Sequence, residues 1–236
     1  MTTATAPQEP RTSAAAHDLI DTLADIAPDS PLARLRHGRV QVRAATQASF
    51  EALFHPARYG GLTPVDRELA ALRVAVLQQQ QALAALHRQR ARALGATAEQ
   101  VQAIEQPAPG PHRNEHWAWL LRFVDRLTLA PATANASHLH DLQRHGLAPR
   151  DIVTLAQLVA FVNYQVRVLA GLRALADATG LPPTAAESTP SPAIEKPALQ
   201  RGHHGPVQQA PATLGFTIQP LDWAAWLPTV DLAQAD

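Results

Sequence analysis

Apolar residues recur along most of this chain at helical intervals, not alternating ones. Leu19, Ile20, Leu23 and Ile26 fall on one helical face, with Ser13 ahead of them as a start signal and Asp29-Ser30-Pro31 as a stop followed by a new start. A second helix is expected from about Pro31 to Phe54. Thr63-Pro64-Val65-Asp66 sets a hydroxyl at the N-cap, proline at the first helical position and an acid at the third, opening a long helical stretch that Gly95 closes. Thr97-Ala98-Glu99-Gln100 is a further capping box, for a short helix ending before Pro107-Ala108-Pro109-Gly110-Pro111. Trp117, Leu120, Leu121, Val124 and Leu127 then mark a helix that stops near Pro131. Another runs from about Asn135 to His145 with Gly146 behind it. A second long helix extends from Pro149 to about Thr179, before Gly180-Leu181-Pro182-Pro183.

Strand signals are scarce, while Ala, Leu, Gln and Arg dominate, so the fold is expected to be all-α. The two long helices read as weak internal repeats: the alignment that pairs Glu68 with Asp151 also pairs Gln80 with Asn163. After Gly180 the composition shifts. Nine of the 20 prolines lie in the last 55 residues, amid Ser, Thr, Gln and Gly, which marks a linker and not a core. Beyond it comes an apolar patch from Leu214 to Pro228 that holds Phe216, Trp223 and Trp226, residues expected to dock on the domain or on a partner. The expected organisation is a flexible N-terminus over 1–14, a helical domain over 15–181, a proline-rich linker over 182–213 and a docking tail over 214–236.

With 236 residues the chain can bury a sizeable apolar core. Its 20 basic and 20 acidic side chains balance, so no overall field attracts nucleic acid or an anionic membrane surface, and neither partner is expected. No basic segment followed by an apolar run opens the sequence, and no stretch reads as a membrane span. A soluble cytoplasmic protein is the expectation, which the absence of Cys also fits. Eleven histidines invite a metal reading through His112 and His116, His138 and His140, or His203-His204. No Cys, no metalloprotease pattern and no third ligand at a recognisable spacing accompany them, so neither a metal nor any other cofactor is expected. Gly-rich phosphate loops and nucleophile elbows are absent from the sequence as well.

Candidate chemistry concentrates in the stretch from Arg67 to Arg88. Gln80, Leu83 and His87 fall in one sector of a helix. Glu68 is twelve residues before Gln80, roughly 18 Å along a straight helix, and reaches His87 only if the helix breaks or another subunit supplies one of the two. Met in this way they would form a buried proton-transfer pair. Unmet, Glu68 is an exposed first-turn acid suited to the helix dipole and His87 a surface residue beside Arg88. Gln78-Gln79-Gln80-Gln81 is polar on every side, so one or two of these amides must face inward, toward a ligand pocket, a subunit interface or an internal hydrogen-bond network. Asn163 and Arg167 share a face at i and i+4. An Arg amid apolar residues is either paired, with Asp151 or Glu68 as candidates, or poised for an anionic ligand.

The run Arg67-Glu68-Leu69-Ala70-Ala71-Leu72-Arg73, preceded by Leu62-Thr63-Pro64 and followed by Gln80, Leu83, His87 and Arg88 through Ala91, resembles the alkylhydroperoxidase D and carboxymuconolactone decarboxylase superfamily. That family is marked by Glu, then Cys, Cys and His at this spacing. Here Gln80 and Leu83 stand at the two cysteine positions, and the later Asn163 and Arg167 also match the family pattern. The resemblance implies an AhpD-like helical fold with two repeats, a meeting of Glu68 and His87, and a homo-oligomer, trimer or hexamer. Thiol peroxidase turnover needs an attacking thiolate and a resolving thiol, and this chain has neither. The leading expectation is therefore a cysteine-less subunit or binding module acting beside a Cys-containing paralogue. The second is a cofactor-independent decarboxylase or isomerase-like enzyme in which His87 and Glu68 move protons while Arg167 or Arg73, with Asn163, holds a substrate carboxylate. A third is kinship to peroxidases in name alone.

Overall fold

The computed structural model of the chain describes residues 18–106, 115–178 and 226–227, apart from the side chains of 115, 116 and 178. All regular structure within them is helical, so the protein is all-α as its sequence pattern implies. The helices are α1 (Leu19–Leu23), α2 (Pro31–His37), α3 (Val40–Phe54), α4 (Pro64–Leu77), α5 (Gln81–Ala93), α6 (Ala98–Glu105), α7 (Glu115–Leu129), α8 (Ala136–Arg144) and α9 (Pro149–Ala178), with a 3-10 turn at Pro131–Thr133. Ser13, the linker over 182–213 and all of the 214–236 tail except two residues lie outside the described residues. Of those two, Leu227 packs on the core and Trp226 is half-exposed.

Helix α4 is the axis of the fold. Every residue from Asp66 to Ala75 is buried, because α3, α5, α6, α7 and α9 pack around it. Ala70, Ala71 and Ala75 keep its girth small enough for those neighbours to approach, and Leu69, Leu72 and Val74 fill the space between them. Its start is the capping box expected from Thr63 and Asp66. The preceding loop is held by Asp151 in the first turn of α9, whose carboxylate accepts the Gly61 N–H at 3.0 Å. A Cβ on Gly60 or Gly61 would come within 2.5 Å of that carboxylate, which is why the approach takes two glycines.

Several elements differ from the sequence expectation. Asp18, and not Ser13, caps α1. The stretch from Pro31 to Phe54 is two helices, parted at Gly38-Arg39. Above all, the long helix expected from Pro64 to Gly95 is broken at Gln78–Gln80. Gln80 N–H donates to the Ala75 carbonyl at 2.8 Å and Gln79 N–H to Val76 at 3.0 Å, with Gln79 in the left-handed region at φ 55. This Schellman arrangement also ends α5 and α8, where Gly95 and Gly146 take the left-handed position. A glutamine there gives no sequence signal. Because α9 runs unbroken, the two aligned long segments do not share a backbone path. Helix α9 is also long and apolar enough to cross a membrane by length and composition, contrary to the sequence expectation, and 44% of that window is buried inside the fold.

Arg73 lies in the middle of α4 and is almost fully buried. Its Nε and Nη2 donate to both oxygens of Asp125 on α7, at 2.7 and 2.8 Å, and Nη1 donates to the carbonyls of Ile104 and Gln106. The side chain is a bolt between three helices, not a group free to hold substrate. Arg73→Leu should destabilise the protein by about 3–5 kcal/mol by leaving Asp125 and two carbonyls unpartnered, and Arg73→Lys should rescue little because an ammonium cannot make the fork. Urea unfolding measures both.

At the N-terminal edge Asp18 caps α1 through the Ile20 and Asp21 N–H groups and pairs with Arg36 at 2.7 Å and Arg43 at 3.0 Å. Burial works against its ionisation, but the Asp21 N–H and the two guanidiniums outweigh burial and hold the carboxyl below its ordinary range. An unfolded Asp titrates at about 3.9, so the unfolded chain takes up this proton first as pH falls. The stability that Asp18 contributes is present above about pH 4 and lost below it. In thermal melts between pH 3 and 7, Asp18→Asn should be less stable than wild type at neutral pH, and the gap should narrow at the acid end.

Candidate functional site

The turn at Gln78–Gln80 folds α5 back along α4, and this reversal brings Glu68 to His87. His87 Nδ1 lies 2.7 Å from Glu68 Oε2, with both side chains buried. On its other oxygen Glu68 accepts from Arg90 Nε at 2.6 Å. With Oε1 accepting from Arg90, Oε2 is left as an acceptor, so the imidazole hydrogen bond is best satisfied with the proton on Nδ1 of His87. In the neutral ring this leaves Nε2 as the lone-pair nitrogen. It is buried and has no partner among the described residues.

Aromatic residues from α3 close the cluster. Phe54 stacks on the His87 ring with centroids 5.2 Å apart, and Phe50 stacks on Phe54. The Arg90 guanidinium lies 5.0 Å from the Phe50 ring centre, and its Nη2 meets His55 Nε2 at 2.7 Å. A line of polar contacts thus runs from the exposed His55 through Arg90 to the enclosed Glu68 and His87. Glu68 is not the exposed first-turn acid of the simpler sequence reading, nor is His87 a surface residue. Arg90 and His55 were missed by sequence reasoning. Arg90 could have been found, since it lies three residues after His87 on the same helix face.

The remaining candidates divide. Gln80 and Leu83, at the two cysteine positions, are both buried on α5 or at its start, and Gln80 Oε1 has no partner among the described residues. Of the four glutamines, Gln79 and Gln81 face solvent, and Gln78 donates from Nε2 to Asn163 Oδ1 at 3.0 Å. Asn163 also donates to the Val159 carbonyl, so its amide is a tie between α9 and the break after α4. Arg167 is exposed. Neither expected partner reaches it, because Asp151 is bound to Gly61 and Glu68 to His87 and Arg90. Arg73 is spent on Asp125 and two carbonyls, as described above. His138 serves as a cap on α8 and His140 is exposed, while the side chains of His112 and His116, with His203 and His204, lie outside the described residues. Among the described residues no three metal-ligating side chains gather.

The arrangement can accept a proton at Nε2 of His87 and spread the resulting charge onto Glu68, with Arg90 fixing the carboxylate. It offers no thiolate to attack a peroxide, since the sequence contains no cysteine.

Residues 42–123 match the family model described as the carboxymuconolactone decarboxylase family. A solved structure titled as an uncharacterized peroxidase-related protein from Silicibacter sp. TM1040 is similar, with 23% identity and a TM-score of 0.49, covering 62% of this chain and 72% of that one. No curated protein matches the chain. The segment that is similar to the carboxymuconolactone decarboxylase family contains α4, α5 and the whole Glu68–His87–Arg90 cluster, so the likeness falls on the part of the fold that carries the site.

Proposed function

We propose that this domain performs non-redox, cofactor-independent proton transfer, with His87 as base and Glu68 as the group that orients it. The observation that carries this reading is the enclosed Glu68–His87 pair with Nε2 left unpartnered. Burying an ionised carboxylate costs several kcal/mol unless its lone pairs are met, and a purely structural hairpin could be closed more cheaply by apolar side chains. The pair persists although the thiols it would serve in a peroxidase are absent. In the mechanism, Nε2 of the neutral ring takes the acidic proton of a carbon acid, lactone or β-keto acid next to it, and the electron pair is left as the enolate that proton removal or departure of CO2 produces. Nε2–H, or a solvent deuteron exchanged onto it, is then delivered to the enolate carbon, while Glu68, held by Arg90, orients the imidazolium through Nδ1–H. Because Nε2 is enclosed, substrate entry requires the side chains over it to move.

A second reading, a cysteine-less subunit beside a thiol-bearing partner or other copies of itself, draws on Leu35, Val40 and Val42. These apolar side chains lie close together in sequence on α2 and α3 and are more than half exposed. A trimer or hexamer, by family analogy, would be one way to cover them. Cytoplasmic placement belongs to the same reading.

Two outcomes separate these proposals from thiol chemistry and from each other. The purified protein should consume no alkyl hydroperoxide or hydrogen peroxide above a no-protein control with any dithiol reductant. Against a panel of carboxylated lactones and β-keto acids in heavy water, wild type should catalyse decarboxylation or deuterium incorporation. His87→Asn should lower that rate by about 10²–10⁴ while retaining native circular dichroism. Equal rates in wild type and His87→Asn would remove the proton-transfer reading and leave the subunit one.

A further inference from the structure

A cleft of about 240 Å³ lies between α7 and α8, on a part of the molecule that shares no residue with the Glu68–His87 site. Its floor is apolar, formed by the buried Phe123 and Leu142, and Trp119 forms one wall. The rim is rich in donors. Arg122 and Arg126 stand one turn apart on α7, where two like charges oppose each other. Arg122 lies 4.8 Å from the centre of the Trp119 ring, and among the described residues no carboxylate pairs with it. Arg126 uses one N–H on Thr133 Oγ1 at 3.2 Å. Asp141, the carboxylate of the cleft, is bound to Arg144.

His138 completes the rim. Its Nδ1 accepts the Asn135 N–H at 3.2 Å as part of the cap of α8, so the ring is neutral and its proton is on Nε2. Burial first, and then the neighbouring Arg126, keep the imidazole below its ordinary titration range, with Asp141 acting in the opposite direction. The cleft thus offers two guanidiniums and an imidazole N–H over a hydrocarbon floor.

We infer that this cleft binds a small organic carboxylate with an apolar body. The guanidiniums supply the fork that a carboxylate fits. The apolar floor disfavours a fully hydrated inorganic anion, which would lose water there without replacement. A volume below the roughly 300–1,000 Å³ of sites for drug-sized ligands limits the occupant to something near the size of a single ring bearing one carboxylate.

Benzoate is a direct probe, titrated into the full-length protein and followed by calorimetry and by NMR of the Trp119 indole and His138 ring. Saturable one-to-one binding is expected, with both reporters shifting and with inorganic phosphate failing to compete at equal concentration. Arg122→Gln and Arg126→Gln should each weaken binding about tenfold. Arg122 has no described tie to the fold beyond Trp119, so its variant keeps the test valid even if Arg126→Gln fails to fold. Absence of binding, wild-type affinity in Arg122→Gln, shifts confined to residues elsewhere, or displacement by phosphate at equal affinity would overturn the inference.

Discussion

The Glu68 carboxylate is enclosed by protein on every side, and the surrounding structure is arranged to satisfy it. His87 meets one oxygen and Arg90 the other. Both partners are on α5, so the ion can be buried in α4 only if the chain turns back immediately after Leu77. Phe50 and Phe54 on α3 then cover the pair, exclude water and strengthen the electrostatic contacts inside. Removing the reversal would strand a charge in the core, which is why helix break, carboxylate and aromatic cover form one cooperative unit.

The other buried charges of α4 serve a different purpose. Arg67 donates to the carbonyls of Leu53, Tyr59 and Leu62 and so pins the connection between α3 and α4. Burial lowers its affinity for a proton, yet the three carbonyls and the Tyr59 ring 5.2 Å away suit the charged form. Arg73 ties α4 to α6 and α7 in the same manner. Arg67 and Arg73, two guanidiniums within seven residues, therefore specify how the central helix is registered against its neighbours, a role for which directional bonds are better suited than apolar packing alone.

Much of this was legible in the sequence. The caps at Thr63 and Thr97, the helix start near Asn135 and the glycines at 95 and 146 mark real boundaries, since each follows from backbone groups that need partners or from a positive φ. The family spacing of Glu68 and His87 identified the pair that the fold brings together. The break between them was hidden, because Gln79 occupies a left-handed position where glycine is the usual signal. Arg73 and Arg167 read alike as polar residues on apolar helices. Only the packing of α7 against α4 decides that the first is saturated and the second exposed. His55 and Phe54 carried no signal, as their role depends on α3 lying across α5, a long-range contact that local patterns do not encode.

The account turns on the protonation pattern of His87 within the enclosed cluster, which ring-nitrogen NMR of uniformly ¹⁵N-labelled protein reads directly. The prediction at neutral pH is a single tautomer with the proton on Nδ1, coupled to Glu68 and slow to exchange with solvent, and an unprotonated Nε2. A ring protonated on Nε2, or one averaging rapidly between tautomers like an exposed histidine, would contradict it.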